Sequence, residues 1–268
     1  MDGDLELLVR ELKLDILRMF YHSKTGHLSS ALSCIEMLSV LYFWQCDEKD
    51  RIVLSKGHGA AALYPILERI GEIDHAELKT FYGYNSRLFA LASHKTPGIE
   101  VSTGSLGQGI CFASGLAKAY RLDAEKAKVF CILGDGEMQE GSVWEAAMFA
   151  ASQKLDNFAV FLDYNGIQAS DCVQAITKID PVREKWEAFG WQVEEIDGHD
   201  LTEIQDVVQR FRDNMYHKPL FVIAHTHKGH GIPFIQDQAD CHMRNPKNEE
   251  WETVCRAFHI SPEELSLL

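Results

Sequence analysis

The chain has 268 residues, which at about 150 per domain is one large domain or a domain with an appendage. Hydrophobic residues at 46% and charged residues at 25% are ordinary globular values, and they exclude disorder, collagen and coiled coil. A formal charge of −14 argues against nucleic acid or an anionic membrane as the main partner, so any bound phosphate must be held by local devices.

No apolar run reaches membrane-spanning length, and the acidic start Met1-Asp2-Gly3-Asp4-Leu5-Glu6 is unlike the basic start of a signal peptide. The seven cysteines (34, 46, 111, 131, 172, 241 and 255) are odd in number, scattered and free of any Cys-x-x-Cys pair. They read as reduced thiols of a cytoplasmic protein, not as a disulfide frame or zinc site.

Elements alternate along the chain. Leu5, Leu8, Leu12, Ile16 and Met19/Phe20 recur at helical spacing, which predicts an amphipathic helix over residues 4–22. A second helix is expected over 33–44, a short strand at Arg51–Leu54, and a helix over Ala60–Ile70. Residues 83–107 read as a long irregular segment, of the kind that is usually functional inside a compact domain. A helix follows through Ile110, Ala113 and Tyr120, then the buried strand Lys128–Leu133. Ser142-Val-Trp-Glu145 reads as a capping box for a helix reaching residue 153. Strands are expected at Phe158–Leu162, Trp191–Ile196 and Leu220–Ala224. Helices are expected after Asp180-Pro181, with Asp180 as N-cap, over Thr202–Phe211 capped by Thr202 and Gln205, and after Ser261-Pro262-Glu263-Glu264. Apolar strands alternating with helices predict an α/β fold, a parallel sheet with helices on both faces, over residues 1–268 as a single domain.

Ligands of open parallel sheets bind where strand carboxyl ends meet loops and helix starts. Three such ends carry polar and glycine residues here: Lys56-Gly57-His58-Gly59, Gly134-Asp135-Gly136-Glu137 and Asp163-Tyr164-Asn165-Gly166-Ile167. Two glycines around an Asp let backbone amides approach a phosphate while the carboxylate faces a cation. An Asp and an Asn from neighbouring strand ends plus one main-chain carbonyl suit a hard cation such as Mg²⁺. Either motif alone is a common turn, and the signal lies in their pairing thirty residues apart, each directly after a buried strand.

That pairing resembles the signature of thiamin diphosphate-binding enzymes, and the surrounding words resemble the transketolase family. They are Thr25-Gly26-His27, Asp50 to His58, Pro97 to Gly109, Gly134 to Gly141 and Lys228-Gly-His-Gly-Ile232, in the family's order. The resemblance reaches only the family's first, diphosphate-binding module. It implies the N-terminal subunit of a split, two-chain transketolase, with thiamin diphosphate and Mg²⁺ (or Ca²⁺ or Mn²⁺) as cofactors. The C-terminal partner would bring the pyrimidine-binding module and the cofactor-activating glutamate, in an α₂β₂ assembly that moves a two-carbon ketol unit from a ketose or ketose phosphate to an aldose acceptor.

Residue by residue, the resemblance implies Asp135, Asn165 and the main-chain oxygen of Ile167 as metal ligands. Gly136, His58 and Lys228 would meet the diphosphate end, and Ser30 is a further cofactor contact. Gly104, Ser105 and Leu106 match the loop against the aminopyrimidine. His27, His94 and His242 match the histidines around the reacting carbons, and Glu140 and Glu145 match interface glutamates. Cys241-His242-Met243-Arg244 replaces the more usual Trp-His-Gly-Lys, and Tyr164 replaces an Asp or Asn.

Other residues read as structural. His22, His75, His217 and His259 lie outside any motif, and Glu145 is accounted for by its capping box. His225-x-His227 has the spacing of a metal pair on one strand face, without a third ligand. Two rivals to the ketol-transfer reading are a biosynthetic relative that passes its two-carbon unit to a carrier-protein thioester, and a non-catalytic scaffold or regulator. Gly107-x-Gly109 lacks the remainder of a nicotinamide fingerprint and follows no strand.

Overall fold

The computed structural model describes residues 2–44 and 47–268, so Met1 and Cys46 lie outside the described residues. In chain order the helices are α1 (Asp2–Ser23), α2 (Leu28–Leu32), α3 (Ile35–Phe43), α4 (Leu63–Arg69), α5 (Gln108–Leu122), α6 (Gly141–Ser152), α7 (Val173–Ile176), α8 (Val182–Ala188), α9 (Leu201–Arg212), α10 (Trp251–Phe258) and α11 (Pro262–Leu265). The strands are β1 (Arg51–Leu54), β2 (Val129–Gly134), β3 (Phe158–Tyr164), β4 (Gln192–Asp197) and β5 (Leu220–His225).

The strands form one sheet in the order β1-β2-β3-β5-β4, and every pairing is parallel. The continuous apolar runs are explained by two covered faces. Phe130, Ile132, Phe161 and Val222 point into a core shared with α1, α3, α4 and α9. Their neighbours Cys131, Leu133, Val160 and Phe221 point into a second core under α5, α6 and α8. Among the described residues no helix is long and apolar enough to cross a membrane, and the six described cysteines are free thiols.

The strands fall where the apolar runs put them, and the helix starts differ. The helix expected over 33–44 begins at Leu28 and is broken at Ser33–Cys34, and the Ser33 hydroxyl donates to Asp163. Before α4 the chain turns through a 3₁₀ helix over Gly57–Ala62, pressed so close to the next loop that a Cβ on Gly57 would lie 2.3 Å from the Thr103 carbonyl oxygen. The capping box at Ser142 does not form. Helix α6 starts at Gly141 without a side-chain cap, and the Ser142 hydroxyl donates to the Gly107 carbonyl instead. Asp180 does not cap α8 either, because its carboxylate accepts from the Tyr164 hydroxyl and the Gln174 amide. Helix α9 is capped by Asp200, whose carboxylate accepts the Thr202 and Glu203 amides, in place of Thr202 and Gln205. Ser261 caps α11 as expected.

Residues 81–107 hold no helix or strand. The segment is nonetheless tied to the sheet. Ala92 donates to the Gly57 carbonyl at 2.9 Å, and the Thr103 hydroxyl donates to the Leu54 carbonyl at 2.7 Å.

Candidate active site

The ends of β1, β2, β3 and β5 open into one cavity of about 210 Å³. Of the residues anticipated from sequence, His27, Ser30, His58, Gly104, Leu106, Asp135, Gly136, Asn165, Ile167, Lys228 and His242 line it. Ser105, His94 and Glu140 do not, and all three lie toward the solvent side of the fold. His94 is held at the rim by Ser102, whose hydroxyl lies 2.8 Å from Nδ1. Glu140 packs its Cβ beside Gly107, immediately after the Gly104–Leu106 loop.

Asp135 joins two strand ends. Its Oδ1 accepts from the Gly136 amide at 2.7 Å and its Oδ2 from the Gly166 amide at 2.6 Å. Burial pushes its carboxyl up to about 6, the charge of Asp163 adds to that, and Lys228 opposes it. A carboxylate in this state gains most from a nearby cation. Asn165 donates from Nδ2 to Asp163 Oδ1 at 3.2 Å and accepts the Ile167 amide at Oδ1, 3.1 Å away. The Lys228 ammonium donates to the Ile167 carbonyl at 2.7 Å.

This donor set fits a hard divalent cation beside an anion: a carboxylate, an amide oxygen and a main-chain carbonyl are all oxygen ligands. Two buried polar atoms of the same cavity, His27 Nδ1 and Ser30 Oγ, have no hydrogen-bond partner. The cradle also needs its glycine, because a Cβ on Gly136 would stand 2.7 Å from the Gln168 Cβ.

Three imidazoles form one wall. Ring centroids lie 4.9 Å apart for His27 and His242, 5.2 Å for His58 and His242, and 5.7 Å for His27 and His58. Burial lowers all three, with the ammonium groups of Lys228 and Lys56 adding to the effect, and His242 falls to about 3. The rings are neutral at pH 7, so each can accept a proton as well as donate a hydrogen bond.

Sequence reasoning missed the supports of this site. Lys56 and Asp163 form an ion pair that is almost wholly excluded from solvent. Glu137 is also buried, and accepts from the Ser55 hydroxyl and from the amides of Gly107 (2.8 Å) and Gly134 (3.1 Å), so it clamps the Gly104–Leu106 loop to β2. Lys56, Glu137 and Asp163 all lie inside the quoted motifs. Their signal was a charged residue inside the carboxyl end of a strand or within three residues of it.

A second cluster joins Glu36, His199 and His230, whose donor atoms lie within 4.8 Å of one another. It is a carboxylate surrounded by hydrogen-bond donors. Lys13 Nζ stands 2.5 Å from Glu36 Oε1, and His199 Nε2 accepts the His227 amide at 2.9 Å. His199 Nδ1 faces Glu36 Oε2 at 3.3 Å. The anticipated pair His225 and His227 does not share a strand face, since β5 ends at His225. Each instead meets its own carboxylate, Glu195 or Asp237.

The family model for the transketolase thiamine diphosphate binding domain matches residues 6–266. An apulose-4-phosphate transketolase subunit of Phocaeicola vulgatus is 36% identical, covering 97% of this chain and 96% of its own length. A 6-deoxy-6-sulfo-D-fructose transketolase subunit of a Clostridium species is 39% identical over 85% of this chain and 86% of its own. The crystal structure of Campylobacter jejuni transketolase superposes with a TM-score of 0.88 at 30% identity, over 96% of this chain and 43% of that one. The chain thus spans less than half the length of the solved transketolases that it matches. By sequence and by fold, it belongs to the transketolase family of ketol-transferring enzymes, as the family's thiamine diphosphate-binding portion.

Proposed function

We propose that this chain is the diphosphate-binding subunit of a two-chain transketolase, a single module that holds thiamin diphosphate and a divalent cation at the ends of β2 and β3. The supporting observation is the bridge that Asp135 makes to Gly166, which gathers three oxygen donors and two orphaned polar atoms into one cavity. When bound, thiamin diphosphate supplies the carbon nucleophile and electron sink for moving a two-carbon ketol unit from a ketose to an aldehyde.

The chain's own residues bind and orient. Asp135, Asn165 and the Ile167 carbonyl hold Mg²⁺, and Ca²⁺ or Mn²⁺ satisfies the same donors. The Gly136 amide, Ser30, His58 and Lys228 hold the diphosphate, and Lys56 and Lys228 supply local positive charge against the overall −14. Gly104, Ser105 and Leu106 cover the aminopyrimidine. His27 Nδ1 accepts a substrate hydroxyl proton, His242 stands beside it, and His94 completes the set from the rim. Glu140 faces the partner chain, which carries the pyrimidine-binding module in a cytoplasmic α₂β₂ assembly. The named relatives act on a phosphorylated and a sulfonated sugar, so the donor is a ketose with an anionic end.

The test is pull-down of the second chain from the native source, followed by ketol-transfer assays with cofactor and Mg²⁺. Activity is expected from the pair and not from this chain alone. Transfer by the single chain at the rate of the pair overturns the split-enzyme reading.

A further inference from the structure

Asp163 is the penultimate residue of β3 with no solvent exposure, and every hydrogen-bond partner of its carboxylate is a donor. Oδ2 receives the Lys56 ammonium and the Ser33 hydroxyl, the latter at 2.6 Å. Oδ1 receives the Thr226 hydroxyl and, at 3.2 Å, the Asn165 amide nitrogen. Lys56 is itself fixed, because it also donates to the Ser30 carbonyl at 3.0 Å and lies 3.2 Å from the Ser33 hydroxyl.

We infer that Asp163 is a positioning residue that fixes which end of the Asn165 amide faces the metal. The two ends of an amide are alike in shape and opposite in polarity, and only the oxygen can ligate a hard cation. Asp163 claims the nitrogen, and the Ile167 amide marks the oxygen. This role rests on the metal reading proposed above.

Lys56 makes the requirement strict. In Asp163→Asn the new side chain has one oxygen and one NH₂ to place. The ammonium of Lys56 cannot accept a hydrogen bond, so the oxygen must stay on its side and the NH₂ must turn toward Thr226 and Asn165. The Thr226 hydroxyl can rotate to accept. Asn165 can accept only by flipping, and the flip presents its own NH₂ to the cation. A carboxylate is the same at both ends, so Asn165→Asp added to Asp163→Asn removes the need for orientation and preserves the summed charge of the two positions.

The experiment is calorimetry of thiamin diphosphate binding to the full chain in its native assembly, at a series of Mg²⁺ concentrations, with thermal melts as the check on folding. Asp163→Asn is expected to raise the Mg²⁺ requirement about 10- to 100-fold, the usual scale for a group that orients a metal ligand. The exchange variant D163N/N165D is expected to recover most of that loss, a rescue that a merely structural role for Asp163 does not predict. An unchanged Mg²⁺ requirement in D163N, or an exchange variant no better than D163N, overturns the assignment. Where D163N does not melt cooperatively the exchange variant decides alone: Mg²⁺-dependent binding supports the assignment and its loss overturns it. A parent that binds thiamin diphosphate without Mg²⁺ overturns the metal reading itself, which a defect confined to the variants cannot do.

Discussion

The floor and the rim of the cavity are built on different principles. On the floor, Asp135, Asp163, Lys56 and Glu137 are buried, and each is fixed by backbone amides, hydroxyls or an opposite charge from another strand end. At the rim, His94, Ser105 and Glu140 lie on the solvent side, and the His94 ring rests on a single serine. The floor is finished by this chain's own hydrogen bonds, while the rim side chains face outward from the fold. A buried polar network holds its geometry because leaving one member unpaired costs so much. An exposed side chain has its geometry set by whatever docks against it.

Asp135→Ala should give the largest effect, because it removes the carboxylate proposed to bind the cation and unties two strand ends at once. Calorimetry should show Mg²⁺-dependent thiamin diphosphate binding weakened more than about a hundredfold, beyond the usual cost of losing a mere ligand support. Affinity equal to the parent's would end the case for a floor built around a metal. At the rim, His94→Ala should lower turnover of the assembled pair by about a hundredfold, the scale of lost proton transfer. Cofactor affinity should stay near the parent value. A fall in affinity as steep as the fall in turnover would erase the distinction between floor and rim.

Gly57→Ala tests the seam between them, where a methyl group would meet the Thr103 carbonyl. Overpacking of this kind costs about 1–3 kcal/mol, so chemical denaturation should shift measurably. A midpoint equal to the parent's would show that the 81–107 segment is not held against β1.

The smallest effect concerns pH. His27, His58 and His242 are held below their unfolded values, so the fold favours their neutral forms. That stability is complete above the unfolded value of about 6.5 and is lost as pH falls through it. Asp135, raised to about 6, acts in the opposite sense because acid relieves its burial. Glu137, also raised by burial, acts with Asp135, and three imidazoles outweigh these two carboxyls by about 1–2 kcal/mol between pH 7.5 and 5.5 once partial solvent access is allowed for. The melting temperature should therefore fall on acidification, and a rise would show that the buried carboxyls dominate.

The sheet was legible because its three central strands β2, β3 and β5 read as buried, nearly continuous apolar runs, and the floor because Asp135 and Asn165 directly follow two of those strands. Helix starts were less legible. Ser142, Asp180 and Thr202 each satisfy a local capping pattern, but two of them serve distant partners and Asp200 does the capping of the third helix. Helix α10 was overlooked although Trp251, Val254, Cys255 and Phe258 repeat at helical spacing, because the segment is short and flanked by polar residues. Lys56, Glu137 and Asp163 stood in plain view as charged residues in glycine-rich words. Only the fold reveals that they turn inward to support their neighbours.

The strand order has a consequence for the birth of the protein. Because β5 lies between β3 and β4, it must insert between two strands that precede it in the chain. Lys228 and His242 enter the cavity only with that insertion, and they join residues as early as His27. Contacts so distant in sequence form slowly, because loop closure must precede any gain from them. Until then the facing edges of β3 and β4 stay unpaired, the state in which nascent α/β chains aggregate most readily. The ability to bind the cofactor should therefore appear only with the closing of the sheet.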